Sequence, residues 1–149
     1  MRASTVAAVA AAVIVVGVVA ISFFHKKDVA FSLTMTNGVC QPSDPERIQA
    51  GYKNKVTWSI TNSNCPPQYV SLRNFKHPIG NNQYDPPEQV VTPDPVPGGP
   101  IPTGQTVTID AKVDKFDLLP TLFKYEIWVG DAPGNVQLRR DPDIDVWPF

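Results

Sequence analysis

The chain has few of the residues that most often carry catalysis or bind metals. Its 149 residues include two histidines, two cysteines and two methionines, and no Gly-x-Ser-x-Gly nucleophile elbow. A Ser-His-acid triad would have to use His77, because His25 directly follows a long apolar run. The composition therefore predicts that the protein is not an enzyme and that it holds no cofactor and no metal.

Basic runs are also missing. Thirteen Lys and Arg residues stand against 14 Asp and Glu residues, which gives a net charge of −1. A nucleic-acid interface needs a cluster of basic side chains that neutralises phosphates. We therefore expect no nucleic-acid partner.

Charges are absent from Val6 to Phe24, and this apolar run is followed by His25, Lys26 and Lys27. Nineteen residues at a helical rise of about 1.5 Å each reach roughly the thickness of a bilayer core. The run therefore predicts a single membrane-spanning anchor. Cleavage after Ala20 as a secretory signal is the alternative, although the run continues to Phe24, which is long for a signal peptide.

This anchor divides the sequence into four parts. Residues 1–5 form a short tail, 6–24 the anchor or signal, 25–28 a juxtamembrane linker and 29–149 one domain. We expect that domain to lie outside the cytoplasm, periplasmic or extracellular, on a single-pass protein of the cell membrane. The partners predicted on this basis are the membrane itself and another envelope protein.

The two cysteines point to the same placement. Cys40 and Cys65 are the only thiols, and an even number of cysteines in an exported domain is typical of a disulfide. Closing a loop of about 25 residues would stabilise the fold by roughly 3.5 kcal/mol in the chain-entropy model. Two free thiols in a cytosolic domain are the alternative.

Alternating apolar and polar residues predict six or seven short strands. They begin with the run from Val29 to Thr36, and the others are placed at 46–49, 55–61, 70–72, 106–113, 123–129 and 144–146. Amphipathic helical stretches are absent, apart from a turn of helix expected within Asp114 to Leu119. The pattern predicts an all-β domain, an antiparallel Greek-key β-sandwich of cupredoxin-like or immunoglobulin-like type.

The segment from His77 to Thr103 is the exception to this pattern. It carries eight of the 16 prolines and little apolar periodicity, which predicts a long Pro-rich loop. Loops of this length in a compact domain are often functional. A stiff connection between two sheets explains the segment equally well.

The order of four segments resembles that of cupredoxin-like domains. These are Lys55-Val56-Thr57-Trp58, the turn Asn62-Ser63-Asn64-Cys65, then Tyr125-Glu126-Ile127-Trp128-Val129, and the closing Asp141-Pro142-Asp143-Ile144-Asp145-Val146. The resemblance covers about residues 29–146. It implies a Greek-key sandwich and, in the copper-binding members, a site of two histidines, a cysteine and a methionine. Gln68 and Tyr69 stand where a ligand histidine would be expected, so the resemblance is to a domain that lacks the copper ligands.

Two groups of side chains remain as candidates for binding. Tyr69, Trp128 and Trp147 fall opposite the apolar residues of their strands, which predicts either a recognition surface or a cover for the second sheet or the loop. Asp141, Asp143 and Asp145 would suit a calcium ion. Their alternation with Ile144 and Val146 favours the solvated face of the last strand instead.

Together these features predict a membrane-anchored, extracytoplasmic β-sandwich with a non-catalytic binding or structural role in the cell envelope. The alternative is a carrier of a metal or a small ligand, derived from a cupredoxin scaffold. The first hypothesis depends on the loop 77–103 and the three aromatics, and the second on the resemblance.

Overall fold

The computed structural model describes residues 26–148. The predicted tail and the predicted anchor at 6–24 lie outside the described residues. Within residues 26–148, no helix is long and apolar enough to cross a membrane. The described part is all-β, as the alternating pattern predicts.

Thirteen strands are present in the described part of the chain. The first seven are β1 (Asp28–Thr36), β2 (Val39–Pro42), β3 (Ile48–Gly51), β4 (Lys55–Asn62), β5 (Gln68–Lys76), β6 (Pro78–Gly80) and β7 (Gln83–Tyr84). The other six are β8 (Val91–Thr92), β9 (Val96–Ile101), β10 (Thr106–Val113), β11 (Thr121–Ala132), β12 (Asn135–Arg140) and β13 (Asp143–Trp147).

The strands form two main sheets. Sheet A has the order β2-β1-β4-β10-β8, and sheet B has the order β3-β13-β11-β5-β9. The long strand β11 pairs with β13 through its first residues and with β12 through its last ones, on the same side. Strands β6 and β7 form a separate two-stranded ribbon.

The core lies between the apolar faces of the two sheets. In β4 the buried apolar residues are Val56, Trp58 and Ile60, which alternate with half-buried Thr57 and Ser59. Trp58 of sheet A donates a hydrogen bond from Nε1 to the Tyr125 hydroxyl of sheet B, at 3.2 Å. Tyr125 also stacks on Phe75, with ring centroids 5.5 Å apart. This buried group joins the two sheets at the centre of the domain, and burial raises the pKa of the Tyr125 hydroxyl.

Two strand pairs correct the prediction of a wholly antiparallel sandwich. β1 pairs with β4 in parallel, and β13 pairs with β3 in parallel. Between β1 and β4 the chain forms β2 in sheet A and then β3 in sheet B. It returns to sheet A as β4, which runs in the same direction as β1. Alternation of apolar and polar residues reports which face of a strand is buried, but it carries no information on strand direction.

The segment 77–103 is not the open loop that its composition predicts. It contains the four strands β6 to β9 and buries Val90, Val91, Val96 and Ile101 in the core. Likewise, no helical turn forms in 114–119, which is an irregular connection between β10 and β11. The predicted strand at 46–49 lies two residues further along, as β3.

The disulfide prediction is confirmed: Cys40 in β2 is bonded to Cys65 after β4, with their Cα atoms 5.8 Å apart. Asn62, which is fully buried, organises the turn that carries Cys65. Its Oδ1 accepts a hydrogen bond from the Cys65 amide, and its Nδ2 donates to the Pro66 and Ile101 carbonyls. The same side chain thus holds the cysteine turn against the end of β9.

Candidate functional site

The outward face of sheet B carries the polar and aromatic side chains of β5 and β11. In the antiparallel pairing of these strands, Ser71 lies opposite Trp128 and Arg73 lies opposite Glu126. Tyr69 stands opposite Gly130, which makes it a diagonal neighbour of Trp128 on that face. The alternation of β5 and β11 therefore assembles these groups away from the core.

Glu126 is the best-connected side chain of this face. Its carboxylate accepts hydrogen bonds from Lys76 Nζ at 2.8 Å, from Asn74 Nδ2 at 2.7 Å and from Trp128 Nε1 at 2.8 Å. Burial alone would raise the pKa of Glu126, but these three donors hold it below its ordinary value. Glu126 is therefore an ionised carboxylate whose hydrogen-bonding capacity is already used within the protein, which suits a structural role.

Arg73 is arranged differently. Its guanidinium carbon lies 4.5 Å from the centroid of the Trp128 ring, a cation–π arrangement that holds the side chain flat. Its Nε is buried without a hydrogen-bond partner among residues 26–148. The neighbouring carboxylate of Glu126 is ion-paired with Lys76 instead. Arg73 is thus a positioned cation that makes no ion pair within the described residues.

A groove of about 720 Å³ opens beside Arg73. It runs across the edge strand β9 and is bordered by β5, by β10 and by the β11–β12 hairpin. The lining includes Tyr69, Ser71 and Arg73 of β5, Pro95, Pro97, Gly98 and Gly99 in and before β9, Val107 and Ile109 of β10, and Pro133 and Val136 of the hairpin. Arg73 is the one charged residue in this lining as the structure describes it, so the groove is apolar apart from this single positive charge. We call it the Tyr69 groove.

Glycine and proline in β9 shape the floor of the Tyr69 groove. A Cβ on Gly98 would lie 3.2 Å from the Ile109 side chain, and one on Gly99 would lie 2.8 Å from the Gln68 carbonyl oxygen. Gly99 also has a φ of 115°, which L side chains rarely adopt. Larger residues at these positions would push β9 away from β5 or β10, so the close approach that forms the floor depends on glycine.

The structure brings together two of the three predicted aromatics. Tyr69 lines the groove, and Trp128 supports Arg73 beside it. Trp147 lies at the end of β13 that pairs with Gly51, about eight residues or roughly 26 Å along sheet B from Trp128. It does not belong to this site.

Arg73 and the partly buried Val107 and Ile109 were not among the predicted site residues. The alternation of β10 assigns Val107 and Ile109 to the core, and they do pack against it. The groove exposes part of them because two adjacent glycines of β9 cover them incompletely. The one sequence feature that points to the groove is the Pro-Val-Pro-Gly-Gly-Pro stretch, which is unusual for a strand at a sheet edge.

The other side chains considered for chemistry are engaged elsewhere. His77 Nδ1 lies 2.8 Å from the Leu122 carbonyl oxygen, and its ring packs against Phe123. Asp143 and Asp145 point outward from β13 and are ion-paired with Lys124 and Arg47. Within residues 26–148, no group of three or more His, Cys, Asp or Glu residues is arranged to hold a metal ion.

No protein-family model matches the sequence, and no curated protein is significantly similar to it. The function is therefore inferred from the Tyr69 groove and from the features of the chain around it.

Proposed function

We propose that this protein is a membrane-anchored, extracytoplasmic β-sandwich that binds a segment of another envelope protein in the Tyr69 groove, without catalysis. The observation that carries the proposal is an apolar groove with one positioned, unpaired arginine at its side. Apolar walls with a few placed polar groups are typical of ligand sites.

The chemistry of the groove selects an extended segment with apolar side chains and one acidic group. Arg73 offers its donors to the carboxylate, while Tyr69, Val107 and Ile109 contact the apolar side chains. Addition of a strand to β9 is disfavoured, because Pro97 and Pro100 lack the amide hydrogens that such pairing needs. Binding by side chains in a groove is therefore favoured over extension of the sheet.

The exported placement is supported by two independent features. The buried Cys40–Cys65 disulfide is of a kind that persists in oxidising compartments. The uncharged run from Val6 to Phe24 has the length of a membrane-spanning segment. We propose that this run stays attached as an anchor and that the sandwich faces the periplasm or the cell exterior.

At the level of fold, we propose a Greek-key sandwich related to cupredoxin-like domains without their copper site. This proposal is supported by the order along the chain of the segments that resemble cupredoxin-like domains, and by the two packed sheets. A second candidate function is a carrier of a small ligand, because a groove of about 720 Å³ has the size of a small-molecule site. A thermal midpoint that rises with copper, calcium or a small acidic ligand would favour the carrier.

Site-directed photocrosslinking in intact membranes tests binding in the groove. The full-length chain would carry Tyr69→benzoylphenylalanine, and a matched variant would carry the same probe at Thr108, which is exposed on the outer face of sheet A. We expect a discrete adduct with a second protein from position 69 and none from position 108.

Adding Arg73→Gln to the probe at position 69 should reduce that adduct by about tenfold, since a charge-assisted contact contributes roughly 1.5 kcal/mol or more. Arg139→Gln, outside the groove lining, serves as the control and should leave the adduct unchanged. Equal adducts from positions 69 and 108, or insensitivity to the loss of Arg73, would contradict the proposal.

A further inference from the structure

Three large apolar side chains are exposed in the connection between β10 and β11. Phe116, Leu118 and Leu119 are 52%, 83% and 74% exposed. They lie within six residues of one another in Asp114 to Leu119, and Pro120 follows them. Single exposed apolar residues are ordinary, but an exposed cluster on one loop marks a surface that contacts another apolar phase.

This loop lies at the end of the sandwich where the chain enters the domain. Asp28, the first residue of β1, pairs with Thr57 of β4, and Lys55 of β4 pairs with Lys112 of β10. Strand β10 then ends at Val113, and the loop begins. The apolar loop and the residues that follow the Val6–Phe24 run are therefore at the same end.

The connection between the apolar run and the domain is short, because only His25 separates Phe24 from Lys26. The Gln49 amide donates to the Lys26 carbonyl at 2.8 Å, and the Thr57 amide donates to the Lys27 carbonyl at 3.0 Å. Lys26 is two residues after Phe24, so an extended connection between them spans about 7 Å. If the run spans a bilayer, this end of the domain must lie at the headgroup layer, which is only several Å thick.

Aromatic and charged neighbours complete this end of the domain. The Tyr52 and Phe116 rings meet edge to face with centroids 5.4 Å apart, and Trp147 is the last residue of β13 at the same end. Tyr and Trp are the side chains enriched at membrane interfaces. The basic side chains here have acidic neighbours, because Lys115 pairs with Glu88 and lies 4.0 Å from Asp117, and Lys53 approaches Asp114 within 3.9 Å.

From this arrangement we infer that the 114–120 loop docks into the surface of the bilayer that holds the anchor. Phe116, Leu118 and Leu119 enter the boundary between headgroups and acyl chains, and the sandwich stands upright on the membrane. The inference rests on the anchor in the proposed function. It adds a second contact, which would fix the orientation of the domain and direct the Tyr69 groove away from the lipid. Because Lys53 and Lys115 are engaged by carboxylates of the domain, we expect docking that depends little on salt.

A fluorescent probe on the loop tests the docking. The full-length chain with Leu118→Cys, purified without reductant so that the native disulfide stays intact, would be labelled with an environment-sensitive fluorophore. It would be reconstituted into phosphatidylcholine vesicles in which some acyl chains carry a nitroxide quencher. Leu138→Cys is the matched control, since Leu138 is a 46% exposed leucine that pairs with Trp128, far from this end.

We expect protein that floats with the vesicles and a label at position 118 that is quenched roughly twofold or more, with little quenching at position 138. Floating protein without quenching at position 118 overturns the docking and leaves the anchor standing. A label at 118 that is shielded from aqueous iodide but not quenched by lipid means that a second protein copy covers the loop, which also overturns it. Protein that does not float contradicts both the anchor and the docking.

Discussion

At the residue scale, the fold depends on a buried asparagine that no hydrophobic pattern indicates. Asn62 is fully buried, and its side chain makes three hydrogen bonds to backbone groups around Cys65 and β9. Its position in β4 continues the series Val56, Trp58, Ile60, all of which are core residues. The strand pattern identifies the buried face, but it cannot show that one polar residue there satisfies a turn.

Asn62→Ala should lower the free energy of unfolding by about 2–3 kcal/mol, because it leaves buried backbone groups without partners. Chemical denaturation of the oxidised protein measures this loss. Ser63→Ala, at the adjacent exposed position, is the control and should change stability by less than about 0.5 kcal/mol. Equal effects of the two substitutions would contradict the role assigned to Asn62.

The lowered pKa of Glu126 leads us to expect that the stability of the fold depends on pH. Its pKa in the folded protein lies below the ordinary value of 4.5, so ionised Glu126 stabilises the fold above that pH. The contribution is lost as the pH falls below 4.5 and passes through the folded-state pKa.

Glu126→Gln should therefore lower the free energy of unfolding at pH 7, by about 2 kcal/mol, and the difference from the native protein should shrink at acidic pH. Denaturation curves at neutral and acidic pH check this. Glu46→Gln, on a carboxylate whose side chain is 71% exposed, should have little effect at either pH. A Glu126→Gln difference that is the same at all pH values would contradict the assigned network.

At the element scale, the hairpin of β11 and β12 depends on Gly130. A Cβ added there would lie 1.7 Å from the Asn135 carbonyl oxygen. Gly130→Ala should displace β12 and lower the free energy of unfolding by about 2–3 kcal/mol. Gly134→Ala is the matched control, because its Cβ would meet nothing within 4 Å. Similar stabilities for the two variants would show that the hairpin adjusts without cost.

Strands with one regular buried face were predictable, and most strands at the sheet edges were not; the edge strand β3 is the exception, with its bounds displaced by two residues. The sequence pattern places β1, β4 and β10 correctly, because each has a regular apolar face. β12 has an almost wholly exposed pattern, and β6 to β9 are short strands in a proline-rich segment, so neither group carries an alternating signal. Of the site, Tyr69 and Trp128 were predictable from alternation, whereas the groove itself arises from tertiary packing of β9 on β10.

The strands within 77–103 also change how this segment can be tested. Deleting the whole segment should prevent folding, since β9 and four buried side chains would be lost with it. Loss of partner binding in such a variant would carry no information on the groove. Point substitutions such as Arg73→Gln are informative because they leave the core intact.

At the scale of the whole molecule, the disulfide joins the edge of sheet A to the turn that leads into sheet B. Cys40→Ala with Cys65→Ala should lower the free energy of unfolding by about 3.5 kcal/mol in the chain-entropy model. Reduction should lower the free energy of unfolding of the native protein by a similar amount, while the double variant should not respond to reductant. A native protein whose stability is insensitive to reductant would contradict this account.

We propose an exported, anchored and oxidised domain that presents the Tyr69 groove. The most direct measurement is the intact mass of the protein extracted without reductant from the membranes of the cells that produce it, before and after thiol alkylation. We expect a chain in the membrane fraction that retains the run from Val6 to Phe24, with no alkylation of Cys40 or Cys65. A chain cleaved after Ala20, or a chain in the soluble fraction with two reactive thiols, would contradict the proposal.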